Sequence, residues 1–185
     1  MGQIFARTMF SDAAKRLQRR YGSAAAYEKM AERGEVDDAL GEFEQEFIAG
    51  RDSFYLASVT EDGWPYIQHR GGPAGFLKVL DGRRVGFADF AGNKQYITAG
   101  NLATNDRVAL FLMDYPHRAR LKLIGHARVV EMGTDPELES KVRMPGYRAA
   151  VERIMVIDVT AYDWNCSQHI TPRWTEAELQ VERLG

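Results

Sequence analysis

The chain has 185 residues, enough for one domain with a real core. Its formal net charge of −2 argues against a nucleic-acid-binding surface, and a hydrophobic fraction of 45% is ordinary for a globular protein. No apolar run approaches the roughly 18 residues of a membrane span, and a single cysteine, Cys166, excludes an internal disulfide framework. We therefore expect a cytoplasmic protein with neither a nucleic-acid nor a membrane partner.

The first fifty residues predict helices. Ser11 is a suitable N-cap for a helix over Asp12–Arg20, and Gly22-Ser23 interrupts the helical pattern before it resumes. A further helix is predicted from about Val36 to Ala49, because its apolar residues recur along one face.

The pattern then changes to short strands joined by turns. The predicted strands are Phe54–Val59, Tyr66–Arg70, Phe76–Leu80, Arg84–Ala88, Val108–Met113, Ala119–Val130 and Ile154–Thr160. Helices are predicted over about Lys94–Leu102, Glu137–Val142 and Thr175–Val181. Most connections are too short for crossover helices, so the fold class is mainly β: an antiparallel barrel of six to seven strands with peripheral helices. We assign a single domain: a helical extension over 1–50, a barrel over 51–163 and a tail over 164–185.

Two glycine-rich segments, each with one cation, end predicted strands. The first is Arg70-Gly71-Gly72-Pro73 and the second is Gly92-Asn93-Lys94-Gln95. Glycine lets the backbone approach a ligand, an arginine fork matches phosphate oxygens, and a helix start offers free N–H groups. The alternative interpretation is structural: a turn with an exposed Arg70, and Asn93 as an ordinary helix cap.

The long strand over Ala119–Val130 has two different faces. One alternating set of residues is apolar and predicts a core face, whereas the other carries Arg118, Arg120 and Lys122 side by side. Three neighbouring cations repel one another unless water or an anion relieves them. This face is therefore either a solvated outer surface or part of an anion site. By contrast, Val108–Met113 is apolar on both faces, which predicts a strand buried on both sides.

The segment from Trp164 to His169 holds Cys166 and a histidine three residues apart. This spacing leaves open a thiol or metal enzyme, although the other histidines are scattered along the sequence. The same polar and aromatic segment could instead supply a stacking ring and amide hydrogen bonds to a flat ligand.

Taken in order, these motifs resemble the pyridoxamine 5′-phosphate oxidase-like, FMN-binding split-barrel family. The resemblance covers residues 42–130 well and residues 154–173 more loosely. It is carried by Phe54–Val59, Gly63–Tyr66, His69–Pro73, Phe87–Gln95, Gly100–Leu102, Asn105–Leu110 and Arg120–Ala127.

The resemblance implies an FMN-dependent oxidoreductase, working through flavin N5 on an unidentified small molecule, in a homodimer with the flavin at its interface. It also implies a set of cofactor-binding positions, with no metal and no assigned catalytic residue. These positions are Arg70, Gly71, Gly72, Asp89, Phe90, Asn93, Lys94, Gln95, Arg120, Trp164, Gln168 and Arg173. Arg70 and Lys94 fall at phosphate positions, and Trp164, Gln168 and Arg173 belong to a C-terminal tail near the flavin.

The chain also departs from the family pattern. Gln95 replaces a second basic residue, and Arg120 stands where a glutamine commonly faces the flavin ring, a position from which a cation would stabilise the anionic reduced flavin. The Arg-x-His substrate clamp of the vitamin B6 enzyme is missing near the end of the sequence, so oxidation of pyridoxamine phosphate is not expected. The alternative function is a non-catalytic split barrel that binds flavin, deazaflavin or haem.

Overall fold

The structure is a computed structural model that describes residues 2–33, 38–164 and 167–182. Within these ranges the chain forms seven helices and seven strands. The helices are α1 (Gln3–Met9), α2 (Asp12–Arg20), α3 (Ala24–Arg33), α4 (Glu42–Ala49), α5 (Ile97–Leu102), α6 (Pro136–Val142) and α7 (Glu176–Glu182). The strands are β1 (Ser53–Val59), β2 (Pro65–Gly71), β3 (Lys78–Asp81), β4 (Arg84–Phe90), β5 (Arg107–Asp114), β6 (Ala119–Glu131) and β7 (Val151–Trp164). None of these described helices is long and apolar enough to cross a membrane.

The helical start of the chain follows the prediction in part. Ser11 caps α2 by accepting a hydrogen bond from a backbone N–H, as expected. The helix predicted from about Val36 begins later, at Glu42, and residues 36 and 37 lie outside the described residues. α1 was not predicted. It is anchored by a distant contact, in which the Phe5 N–H donates to the buried Asp38 carboxylate at 3.0 Å.

The strands form one antiparallel sheet in the order β2-β1-β5-β6-β7-β4-β3. The sheet curls on itself, as shown by the contact between Phe54 of β1 and Phe87 of β4, whose ring centroids lie 5.3 Å apart across the interior. Both rings are fully buried, together with Phe76, in the main apolar core. The mainly β, antiparallel split barrel with helices outside it is therefore confirmed.

Alternation along β6 matches the prediction, but alternation along β5 corrects it. Leu121 and Leu123 of β6 are buried in the core, as expected. In β5, Leu110 and Leu112 are buried while Ala109 is exposed and Phe111 is only partly covered. β5 lies inside the sheet, yet one of its two apolar faces is left open within the chain.

The connection from β4 to α5 also differs from the prediction. The helix begins at Ile97 and not near Lys94, because Lys94 and Tyr96 have positive φ angles of 58° and 54° that a right-handed helix cannot include. Asn93 accepts a hydrogen bond from the Gln95 N–H at 3.2 Å, a turn within the loop, so it does not cap the helix. The expected helix start near Lys94 is therefore wrong, whereas the anion site expected at Gly92–Gln95 stays a prediction.

Side-chain hydrogen bonds dock α5 on the first two strands. Thr98 donates to Gln68 of β2 at 2.9 Å, and Asn101 donates to the buried Ser58 of β1 at 2.8 Å. These bonds hold the β4–α5 connection against the end of β2, which brings the two glycine-rich segments together.

Candidate functional site

A pocket of about 170 Å³ opens where β2, β4, α5 and the start of β7 meet. Five of the expected cofactor-binding residues line it: Arg70, Asp89, Phe90, Asn93 and Lys94. Gly92 of the second glycine-rich segment lines it too, and further lining residues that the sequence did not single out are Gln68, Tyr96, Ile97, Thr98, Ala99, Glu152 and Arg153. The structure thus joins the two glycine-rich corners in one site, although they are separated along the chain by β3 and β4.

Arg70 reaches the pocket from the inner face of the sheet. Its backbone lies opposite Phe54 in the β1–β2 register, and its guanidinium carbon is 5.8 Å from the centre of the Phe87 ring. Its Nη1 donates to Asp89 Oδ1 at 2.6 Å, but its buried Nε has no hydrogen-bond partner among the described residues. A buried donor without an acceptor is costly, so Arg70 is suited to bind an additional anionic or carbonyl group.

Asp89 is the carboxylate at the base of this site. Its side chain is 10% exposed, and it faces Arg153 Nε at 3.7 Å as well as Arg70. Burial raises the pKa of the Asp89 carboxyl above its usual value, and the positive charges of Arg70 and Arg153 offset only part of that rise. Asp89 therefore binds the arginine that the resemblance assigned to a phosphate.

Arg153 is a cation of the pocket that sequence reasoning missed. Its guanidinium lies 4.7 Å above the Tyr96 ring, and its Nη2 donates to Glu152 at 2.7 Å. Tyr96 in turn donates its hydroxyl to Glu152 at 3.3 Å. The residue could not be found from the sequence because only the β4–β7 register, which sets Asp89 opposite Arg153, brings it into the site.

Lys94 lies at the mouth of the pocket. Its side chain is exposed, and it lines the pocket together with Asp89 and Glu152. The pocket lining includes three cations and two carboxylates, which leaves one net positive charge when all are ionised. The cations are Arg70, Lys94 and Arg153, and the carboxylates are Asp89 and Glu152.

The paired glycines contribute packing. The Gly72 N–H donates to the Asp52 carbonyl at 2.9 Å, so it is not free for a phosphate, contrary to the expectation from the sequence. A Cβ at Gly72 would lie 2.8 Å from Phe76 and 3.1 Å from Phe90. Gly71 lies opposite Ser53 in the β1–β2 register. Gly72 thus lets two aromatic rings close against the backbone at the pocket wall.

Besides the two glycines, five expected cofactor residues do not line this pocket in the described part of the chain: Gln95, Arg120, Trp164, Gln168 and Arg173. Trp164 packs against Phe43 and Phe47 of α4, at ring-centroid distances of 5.0 and 4.7 Å. Its indole N–H donates to Glu44 at 2.8 Å, so the ring serves the contact between α4 and β7.

The cations at the β5–β6 end lie apart from the pocket. Arg120 lies 5.9 Å from the Phe111 ring, and its buried Nε has no partner among the residues described. Arg173 lies 5.1 Å from the Tyr115 ring, and Gln168 is exposed. Lys122 is paired with Asp163 at 3.1 Å.

The loop after Trp164 is described only in part. Cys166 lies outside the described residues, so the thiol hypothesis is untested, and His169 is exposed with a φ of 63°. The described residues contain no group of three or more potential metal ligands.

Comparison with known proteins gives the family. A family model described as pyridoxamine 5′-phosphate oxidase matches residues 40–161. Among solved structures, HupZ of Group A Streptococcus has a TM-score of 0.54 at 13% identity, covering 72% of this chain and 98% of that chain. A protein described as a putative pyridoxamine 5′-phosphate oxidase from Lactobacillus delbrueckii has a TM-score of 0.52 at 21% identity, covering 69% and 95%. A conserved hypothetical protein from Mycobacterium tuberculosis has a TM-score of 0.51 at 18% identity, covering 76% and 94%.

These structural likenesses show the fold, and no curated protein matches the chain. The family model, however, spans more than half of the sequence, including both segments that build the pocket. The chain belongs to the pyridoxamine 5′-phosphate oxidase family.

Proposed function

We propose that the protein binds FMN, with the phosphate in the pocket between β2 and β4, and acts as an FMN-dependent oxidoreductase on a small molecule. The observation that carries this proposal is the buried, unpartnered Nε of Arg70 in a pocket that also holds the exposed Lys94. A phosphate oxygen would satisfy that donor, and Lys94 would add a second positive charge at the mouth.

The residues of the pocket fit a phosphate group. Arg70 and Arg153 supply planar donors, Lys94 supplies a mobile point charge, and Phe90 supplies an apolar wall beside them. FMN, when bound, supplies hydride and electron chemistry at its N5 atom. The chain's own part is to hold the phosphate, to orient the ring against Phe90 and to keep water away from that wall.

The proposal includes a homodimer with the flavin at its interface. Arg120, Trp164, Gln168 and Arg173 do not line the pocket within the described residues of one chain, so we propose that they contact the flavin held by a second copy. The open outer face of β5, where Ala109 is exposed, is compatible with such a contact. Light scattering of the purified protein would test it, and a monomer that still binds FMN would contradict this part of the proposal.

The phosphate site is tested by comparing FMN with riboflavin, which has no phosphate. When the protein is titrated into each flavin, we expect the fluorescence of FMN to be quenched at a much lower protein concentration than the fluorescence of riboflavin. Lys94→Met should weaken FMN binding about tenfold and leave riboflavin binding unchanged, because it removes one exposed charge-assisted contact. Lys141→Met, an exposed lysine on α6 paired with Glu137, is the matched control. Equal binding of FMN and riboflavin would show that the phosphate does not occupy this pocket.

The reaction class is tested by anaerobic mixing of the flavin-loaded protein with NADH or NADPH. Rapid bleaching of the flavin absorbance would support a reductase. The non-catalytic alternative would be favoured if no common electron donor bleached the flavin absorbance, or if the purified protein had the absorption spectrum of haem or deazaflavin.

A further inference from the structure

The pocket holds the Asp89 carboxylate against Arg70, the arginine that an incoming anion would bind. Asp89 Oδ1 accepts from Arg70 Nη1 at 2.6 Å, and both side chains are largely buried, at 10% and 14% exposure. A phosphate that approaches the Arg70 guanidinium therefore meets a negative charge at close range. Either the anion binds against this repulsion, or the carboxylate loses its charge.

We propose that anion binding in this pocket is coupled to proton uptake by Asp89, so that the pocket binds a dianion more tightly as the pH falls. The proposal rests on the proposed function, because it takes the phosphate group of FMN as the anion. It goes further by naming Asp89 as the residue that sets how the affinity depends on pH.

The titratable and charged groups around Asp89 come from three parts of the fold. Arg70 approaches from β2, Arg153 and Glu152 from the start of β7, and Lys94 and Tyr96 line the pocket from the β4–α5 connection. α5 adds Thr98, which does not titrate in this range. Of these groups, Glu152 is the other carboxylate, and it is held by Arg153 and Tyr96.

The direction of the coupling follows from these charges. Burial already raises the pKa of Asp89, and the two arginines only partly offset it. A bound dianion adds repulsion and draws Arg70 away from the carboxylate, so the pKa of Asp89 rises further in the complex. The proton comes from solvent and is taken up by the Asp89 carboxyl, while Arg70 exchanges a carboxylate oxygen for an oxygen of the anion. A group whose pKa is higher in the complex takes up a proton on binding, and affinity falls as the pH rises.

Sulfate is the appropriate probe because it keeps both negative charges across the range, whereas the phosphate of FMN titrates near pH 6. The rise in melting temperature with sulfate, at ionic strength matched with sodium chloride, reports its affinity without any activity measurement. Over roughly pH 5 to 8, we expect the sulfate affinity of the wild-type protein to fall by up to about tenfold for each pH unit above the pKa of Asp89. In Asp89→Asn the profile should be flat, with an affinity at high pH at least about tenfold above that of the wild-type protein.

Two variants serve as controls. Glu152→Gln removes the other carboxylate of the pocket and should keep the pH slope. Asp158→Asn removes a carboxylate that pairs with Arg128 outside the pocket and should behave as the wild-type protein. A flat wild-type profile, a slope that disappears in Glu152→Gln, or weaker sulfate binding in Asp89→Asn would each overturn the proposal.

The same experiments separate this proposal from the proposed function. If sulfate binds with the Asp89-dependent slope but FMN does not quench, the proton-coupled anion site stands and the FMN assignment fails. If FMN binds more tightly than riboflavin but sulfate stabilises neither the wild-type protein nor Asp89→Asn, the FMN assignment stands and the coupling fails. The same conclusion holds if sulfate stabilises the wild-type protein to the same extent at every pH.

Discussion

Replacing Gly72 with alanine should destabilise the protein, whereas the same change at Gly71 should not. A Cβ at position 72 would lie 2.8 Å from Phe76 Cγ, 3.0 Å from Phe76 Cβ and 3.1 Å from Phe90 Cε2. Phe76 is only 1% exposed and packs against Phe54 at 5.5 Å, so its ring cannot move without disturbing the core.

The magnitude follows from the cost of overpacking a core, about 1–3 kcal/mol. For a domain of this size, 1 kcal/mol corresponds to about 2–4 °C, so Gly72→Ala should lower the melting temperature by roughly 2–12 °C. At Gly71 the nearest atom to the added Cβ is His69 Cε1 at 3.0 Å. His69 is exposed and can rotate away, so Gly71→Ala should stay within about 0.5 kcal/mol of the wild-type protein.

Thermal unfolding followed by circular dichroism compares the two variants directly. Because Phe90 also lines the pocket, Gly72→Ala should in addition weaken FMN binding. A double variant of Gly72→Ala and Phe76→Leu should lose less stability than the sum of the losses in the two single variants, because the smaller side chain makes room for the added Cβ. Equal melting temperatures for the two alanine variants, or a larger loss at Gly71, would refute the packing role of Gly72.

Three further changes test the framework around the site. Glu44→Gln leaves the Trp164 indole N–H or a backbone N–H without its acceptor and should cost about 1–3 kcal/mol in urea unfolding; an unchanged midpoint would contradict the contact. Burial opposes ionisation of Asp114, but the hydrogen bonds from His117 and the positive charge of Arg51 together outweigh it and hold the pKa of Asp114 below its usual value. Ionised Asp114 therefore adds stability that is lost as the pH falls, so Asp114→Asn should lose less stability than the wild-type protein between about pH 6 and pH 3. Gly125→Ala should prevent soluble expression or lower the melting temperature strongly, because its Cβ would collide with a main-chain carbonyl of β7; normal melting would contradict the tight β6–β7 contact.

The sequence predicted the strands because their signals are local. The short interval between the predicted strands Phe76–Leu80 and Arg84–Ala88 marked the β3–β4 hairpin, and alternation along β6 marked the face that enters the core. Local signals failed where a distant contact decided the outcome. α1 depends on Asp38, and the late start of α5 depends on backbone angles that the residue types at 94 and 96 do not favour.

In the candidate site, too, some features follow from the sequence alone and others follow only from the tertiary structure. The sequence by itself determined that Arg70 and Lys94 are cations at strand ends next to glycines, because each property belongs to a short segment. Only the tertiary structure decided that Arg70 meets Asp89, that Arg153 joins them from β7, and that Trp164 lies against α4. The physical reason is that charge pairing and burial depend on which strands the curled sheet brings side by side, and that register is set by packing over the whole core.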